Sequence, residues 1–372
     1  MSGPRVLLAG RTDLFSKRGG DTVQIERTAE ALGRLGVEAR PSCALEPDLA
    51  GIDLVHLFNL TRIGETAHHY RRARRRGLPC VLTAIHQDLR EYHRHGRRGW
   101  VGRMGRALGT ETMEQARVLA HAIRDRAMGQ VAAAQLRRGY RRSQLEVLGG
   151  VASVVASTAL ELSDLVREFG PLSDGRVVPL GVDDAFHSPD RALFEAAHPM
   201  RGFVLSVGRI EDLKNQLGLL EALDSVPVPL VFVGEPNRAH RAYCREFSRR
   251  VAARPRTWHL PPLPPAMVAS AMACARVHVL ASWVENVGLV SLEAAAAGAA
   301  VVSTDRGYLR EYVGEQAHWC DPASAGSIGR AVREALEAGP APGLAARIRA
   351  ECTWRAAAER LVPVYERALG MR

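Results

Sequence analysis

At 372 residues the chain is too long for one ordinary hydrophobic core and predicts two domains of a little under about 200 residues each. Hydrophobic residues at 47% and charged residues at 24% are an ordinary balance for a soluble globular protein, and no apolar run approaches the roughly 18 residues of a membrane-spanning helix. The net charge of +10 is unevenly placed: from Arg71 to Arg142 stand 18 arginines against five acids, leaving about −3 for the remainder. Such a run reads either as a solvated helical face or as a surface for an anionic partner such as phospholipid, a phosphorylated acceptor or nucleic acid.

The opening M-S-G-P-R-V-L-L-A-G holds an apolar run too short for a signal sequence and is read as a first strand, Val6 to Gly10. The six cysteines fall in no C-x-x-C or metal-like spacing, which fits reduced thiols and a cytoplasmic location. After the first strand comes a glycine-closed loop with Gly19 and Gly20, then a helix from Asp21 to about Leu35 that Asp21 or Thr22 can cap. The loop matches neither G-x-G-x-x-G nor the Walker pattern. Strands are predicted at Ile52 to Phe58 and Pro79 to Ile85, separated by a helix from about Glu65 to Arg76. His86 and Asp88 stand just past the second of these strands, at the edge where open α/β sheets bind ligands.

Residues Glu91 to Gln144 are expected to be helical, with glycines at 99, 102, 105 and 109 marking a mobile loop before a long helix, Glu111 to Arg138. Strands at Val151 to Ser157 and Arg176 to Val182 flank a helix ending at Phe169, and the residues from Asp183 to Met200 read as an interdomain linker. The second half repeats the alternation: strands at Phe203 to Arg209, Pro229 to Glu235, Arg256 to Leu260, Val277 to Leu280 and Ala300 to Thr304. Its helices are expected at Pro265 to Ala275 and Ser324 to Ala338, with a final W…Y helix. Apolar strands spaced by helices, with no two-residue hairpins, predict parallel sheets in both halves.

The segment Ser282 to Gly298 is a strand exit, a turn broken at Asn286 and Gly288, and a helix ended by Gly298. A helix start there favours an anion such as phosphate above the turn. Glu285 and Glu293 lie eight residues apart, about 12 Å if wholly helical. That suits two carboxylates holding different parts of one long ligand better than a hydrolytic pair, which needs roughly 5 to 9.5 Å. Arg209 and Lys214 stand at the mouth of the first strand of the second half, and Lys214 is one of only two lysines in the chain. An Arg fork and an ammonium can together neutralise a diphosphate. No D-x-D occurs, so no metal site or other cofactor is expected.

The G-R-x5-K element (Gly208, Arg209, Lys214), the E-x7-E element (Glu285, Glu293) enclosing E-N-V-G-L, the Gly19-Gly20 loop and the H-x-D after a central strand together resemble the retaining GT-B glycosyltransferases of family 4. Val177 to Asp183 and the closing helix with Trp354 and Tyr365 are similar to that family too. The resemblance implies an α/β fold of two Rossmann-like doubly wound domains facing across a cleft, with a C-terminal helix crossing back. The domains would be an acceptor-side domain over 1–185, carrying a basic helical segment at 90–144, a nucleotide-sugar domain over 200–352, and the returning helix over 353–372. It implies that Arg209 and Lys214 bind the donor diphosphate and Glu293 the ribose. Glu285, with the amides of Asn286, Val287, Gly288 and Leu289, would take the sugar and phosphate. Gly20 would approach the diphosphate or sugar, and His86 the transferred sugar. The expected reaction is metal-independent retaining transfer from a UDP- or GDP-sugar to a hydroxyl acceptor: a glycan, a lipid-linked molecule or a natural product. A nucleotide-sugar 2-epimerase of the same fold and a non-catalytic anion-binding protein are the rivals. The basic segment 71–142 is expected to make peripheral contact with an anionic membrane at its cytoplasmic face, and no nucleic acid is expected.

Overall fold

The computed structural model describes residues 3–97, 111–116, 118–119, 122–123 and 128–371. They form two units: one from the described residues of Met1–Gln87, Leu108–Gly181 and Thr353–Arg372, the other from those of Asp88–Ala107 and Val182–Cys352.

The first unit holds a six-stranded parallel sheet of β1 (Arg5–Ala9), β2 (Glu38–Ser42), β3 (Leu54–Phe58), β4 (Cys80–Thr83), β5 (Ser153–Ala156) and β6 (Gly175–Val177), in the order β2-β1-β3-β4-β5-β6. Its central strands are buried along their whole length because helices cover both faces, which is why they read as unbroken apolar runs. The edge strand β2, E-A-R-P-S, has no apolar pattern; a proline is tolerated there because one side of an edge strand pairs with nothing. The first helix starts one residue earlier than expected, at Gly20, and the Thr22 hydroxyl accepts from the Gly19 amide at 3.1 Å. Asp21 does not cap it but turns to Arg11. The helix expected unbroken to Arg138 is followed by a second, Tyr140–Leu148, set off by Gly139 at φ +84°. The glycines at 99, 102, 105 and 109 lie outside the described residues.

The C-terminal helix, Trp354–Ala368, groups with this unit. Its Tyr365 hydroxyl lies 2.7 Å from His56 Nδ1, and His56 Nε2 lies 2.7 Å from the Thr83 hydroxyl, so a wholly buried polar chain pins the helix to β3 and β4.

The second unit repeats the architecture with β7 (Val204–Val207), β8 (Leu230–Val233), β9 (Thr257–Leu260), β10 (Val277–Leu280), β11 (Ala300–Thr304) and β12 (His318–Cys320), in the order β12-β11-β10-β7-β8-β9. This is the doubly wound order, in which winding reverses between β7 and β10. One face of the sheet packs Val204, Leu230, Phe232, Val277, Val279 and Val302 into a core with Leu217, Leu220, Phe247 and Val332 from the covering helices. The stretch read as a linker is ordered. It forms the helix Arg191–Ala197, whose Phe194 is fully buried and whose amide donates to the Ser270 hydroxyl at 2.9 Å. Residues 88–97, which leave β4 of the first sheet, also group with this unit and include a π-helical turn, Tyr92–Gly96, where a regular helix was expected.

Candidate functional site

The carboxyl ends of β7 and β10 are neighbours at the point where winding reverses, the position at which open α/β sheets bind ligands. The chain leaves β7 through Gly208 at φ +151°, next to Gly234 at the same φ. A Cβ on Gly234 would stand 2.1 Å from the Gly208 carbonyl oxygen, so the two strand exits meet backbone to backbone. Arg209 follows, donating to Glu211 Oε1 at 3.1 Å, while Glu211 is buried and accepts from Asn237 Nδ2 at 2.5 Å. The Gln216 amide holds the Arg209 carbonyl at 2.8 Å. A 3₁₀ turn, Asp212–Lys214, then ends at Asn215 in the left-handed region (φ +55°), with its side chain donating to the Pro322 carbonyl at 2.9 Å.

From β10 the chain passes through Ser282 to Gly288 with its backbone tied at three points. The Trp283 amide donates to Leu213 O at 2.9 Å, the Glu285 amide to Arg306 O at 2.9 Å, and the Tyr308 amide to Asn286 O at 2.7 Å. Gly288, at φ +73°, starts the helix Leu289–Ala296 with no side-chain cap, and a Cβ there would meet Leu280 Cδ2 at 2.9 Å. Val287 is buried beneath the turn, and Glu293 is half-exposed in the helix. Arg209, Lys214, Glu285, Asn286, Gly288, Leu289 and Glu293 therefore lie on two segments of one sheet edge.

One relation was not read from the sequence, which gave the diphosphate to Lys214 and the sugar to Glu285. Lys214 Nζ donates directly to Glu285 Oε1. Both side chains are largely enclosed, 20% and 10% exposed, and an enclosed ammonium or carboxylate without a counter-charge would be costly. The pair is thus a neutral unit at the strand exits of β7 and β10.

Gly19, Gly20 and His86 belong to the first unit, at the carboxyl ends of β1 and β4. Sequence reading missed what fixes the glycine loop. Arg11, itself buried, donates to Asp21 Oδ2 at 2.6 Å, Asp13 Oδ1 at 2.7 Å and the Lys17 carbonyl at 2.5 Å. Arg62, just past β3, reaches Asp13 at 2.7 Å and Glu65 at 3.2 Å, and Glu65 accepts from the Thr12 hydroxyl at 2.6 Å. Burial works to raise the Asp13 pKa, but Arg62, Lys17 and Arg11 outweigh it and hold the carboxyl well below its usual range. His86 is buried with its Nε2 3.1 Å from Glu168 Oε2, and its backbone amide donates to the buried Glu161 at 2.7 Å.

Of the basic run, Arg71 is paired with Glu146 at 2.6 Å; Arg74, Arg75, Arg76, Arg137, Arg138, Arg141 and Arg142 are exposed, with Arg138 also 3.6 Å from Glu146 and Arg141 3.6 Å from Glu168, and Leu136 and Leu145 are exposed among them. Among the described residues no helix is long and apolar enough to cross a membrane.

Residues 193–351 match the family model described as "Glycosyl transferases group 1". The chain is 28% identical over 191 residues to a D-inositol 3-phosphate glycosyltransferase of Paenarthrobacter aurescens, covering 48% of this chain and 47% of the relative. It therefore spans about half the length of that relative. To the protein of the same name from Pseudarthrobacter chlorophenolicus it is 28% identical over 324 residues, covering 78% of this chain and 75% of the other. Among solved structures, sucrose-phosphate synthase from Thermosynechococcus elongatus superposes with a TM-score of 0.77 at 16% identity over 99% of both chains. Anabaena HepE in complex with UDP-glucose gives 0.67 at 15% identity over 98% of both. At such identities the likeness shows the fold. The domain match therefore places a group 1 glycosyl transferase domain over residues 193–351, and the two parallel doubly wound sheets share the two-domain GT-B fold of these structures.

Proposed function

We propose that the protein transfers a glycosyl group from a nucleotide diphosphosugar to a hydroxyl acceptor with retention of anomeric configuration and without a metal ion. The observation that carries this is the placement of Arg209 and the Lys214–Glu285 pair at the carboxyl edge of β7 and β10, beside the glycine-started helix Leu289–Ala296. As the bond between the anomeric carbon and the β-phosphate oxygen breaks, negative charge grows on the phosphate. Arg209, Lys214 and the first helical amides stabilise that charge more than they stabilise the bound donor. The acceptor oxygen forms the new bond on the same face, and its proton passes to the departing phosphate oxygen. Glu285 accepts from sugar hydroxyls and Glu293 from the ribose.

The structural neighbour crystallised with UDP-glucose supports a UDP-sugar as the donor to test first, with GDP-sugars next. The relatives named D-inositol 3-phosphate glycosyltransferase support a phosphorylated polyol as one acceptor to include beside glycans, lipid-linked acceptors and natural products. The exposed arginines around Leu136 and Leu145 favour a cytoplasmic protein in peripheral contact with an anionic membrane surface, where each cation contributes about 1 kcal/mol. Thermal-shift titration with UDP, GDP, ADP and dTDP tests the donor site, because a ligand held by the native state alone raises stability by RT ln(1 + [L]/Kd). One of the four is expected to raise Tm, and a flat response to all would overturn the proposal. Incubating the matching sugar nucleotide without acceptor then separates the 2-epimerase, which would release a 2-epimer or a free sugar intermediate.

A further inference from the structure

Between β4 and β5 of the first sheet the chain makes an excursion, and its residues 88–97 pack with the second unit instead. Two side chains of that excursion reach the two loops that carry the charged pair. Tyr92 is buried, and its hydroxyl donates to Asp212 Oδ1 at 2.5 Å, on the 3₁₀ turn that ends in Lys214. Glu91 accepts from Arg306 Nε at 2.6 Å and from the same guanidinium at 3.2 Å, and the Arg306 carbonyl takes the amide of Glu285 at 2.9 Å. One contact acts behind Lys214 and the other behind Glu285.

The rest of the excursion is shaped to hold these contacts. Tyr92–Gly96 is a π-helical turn, a rare form often found at functional sites. A Cβ on Gly96 would lie 2.6 Å from the Tyr92 ring and 2.8 Å from Trp283, so only glycine lets the ring and the indole close together. Trp283 is the residue whose amide bonds Leu213, one residue before Lys214. Asp212 also accepts from His240 Nδ1 at 2.9 Å, and Arg97 Nε donates to the Tyr92 oxygen at 3.3 Å. Burial works to raise the Asp212 pKa, but the bonds from His240 and Tyr92 prevail and keep it an anionic acceptor.

The geometry points to Tyr92 and Glu91 as positioning residues of the donor-phosphate site: they fix the loops of Lys214 and Glu285 so that the ammonium faces the diphosphate without rearrangement. This rests on the donor reading above. Neither residue touches the substrate. Their effect passes through Lys214 and Glu285, which is what separates positioning from a general packing role.

The test uses the full-length chain with Tyr92→Phe, Glu91→Gln and Lys214→Ala, alone and with Tyr92→Phe combined with Lys214→Ala. UDP, or whichever of the four diphosphates the wild type binds, is titrated calorimetrically, and KM for the corresponding sugar nucleotide is measured alongside kcat. Tyr92→Phe and Glu91→Gln are each expected to raise Kd and KM about tenfold, a loss of about 1.4 kcal/mol. On the Lys214→Ala background, Tyr92→Phe is expected to add little, because its route to the ligand is already removed. Binding within about twofold of wild type in both single variants, or strictly additive losses in the double variant, would overturn the positioning role while the Lys214→Ala loss left the donor reading intact. A wild type that binds none of the diphosphates would instead overturn the donor reading, and this role with it.

Discussion

Replacing Lys214 by alanine separates two consequences of one side chain. In stability, the change leaves Glu285 as a nine-tenths enclosed carboxylate without its cation. Breaking a fully buried pair costs about 3 to 5 kcal/mol; with a fifth of the lysine side chain in water, about 2 to 3 kcal/mol is expected here. For a unit of this size that lowers Tm by roughly 5 to 10 °C. In turnover, the variant loses a cation facing the departing phosphate, expected to cost about 2 to 4 kcal/mol, or roughly 30- to 1000-fold. Adding Glu285→Gln removes the stranded charge and is expected to recover most of the Tm without recovering turnover. Calorimetric unfolding and initial rates at saturating donor measure the two losses independently. Turnover within about threefold of wild type in Lys214→Ala would refute the reasoning, as would a double variant that regained activity together with stability.

EDTA is expected to leave activity within about twofold of its starting value, since the cations proposed to meet the leaving group are protein side chains; complete loss contradicts that. Gly288→Ala places a Cβ at φ +73° against Leu280 and is expected to destabilise the second unit by about 2 kcal/mol and to weaken UDP binding, both readable from one thermal-shift titration. Tyr365→Phe leaves buried His56 Nδ1 short of a partner and is expected to cost about 1 to 3 kcal/mol by denaturant unfolding. Burial holds His56 and His278 neutral, their pKa values pushed down to about 3, against about 6.5 in the unfolded chain. The unfolded state therefore takes up protons first. Stability is full above pH 6.5 and falls as pH drops towards 3, at up to about 1.4 kcal/mol per pH unit for each histidine. Buried His69, pushed down to about 4, adds to this slope, so His278→Leu is expected to remove only its own share, up to about 1.4 kcal/mol per pH unit, and a stability flat between pH 6.5 and 4.5 would contradict the reasoning.

Apolar runs announced the central strands of both sheets, and the repeat of strand and helix announced their parallel order. Two of the four edge strands were illegible for a physical reason. β2 is a charged, proline-bearing strand, and β12 is only three residues long, so neither needs the apolar continuity that marks a strand covered on both faces. The helix Arg191–Ala197 hid among turn-forming residues because a single buried phenylalanine, Phe194, anchors it. For the site, spacing along the chain brought out Arg209, Lys214, Glu285 and Glu293, because each sits at a strand exit or on the helix that follows. Their pairing was not legible: Lys214 and Glu285 are 71 residues apart, and they meet only because β7 and β10 are neighbours where winding reverses. The same holds for Arg62 on Asp13, joined across the reversal between β1 and β3, and for Tyr92 on Asp212, which requires the chain to leave one sheet and pack with the other.

The most direct measurement is a crystal structure of the protein soaked with the nucleoside diphosphate that raises its Tm. Both phosphates are expected within hydrogen-bond reach of the Arg209 guanidinium, the Lys214 ammonium and the amides that follow Gly288, with the Lys214–Glu285 bond loosened or shared. Phosphates bound elsewhere in the molecule, with that pair and Arg209 unchanged, would contradict it.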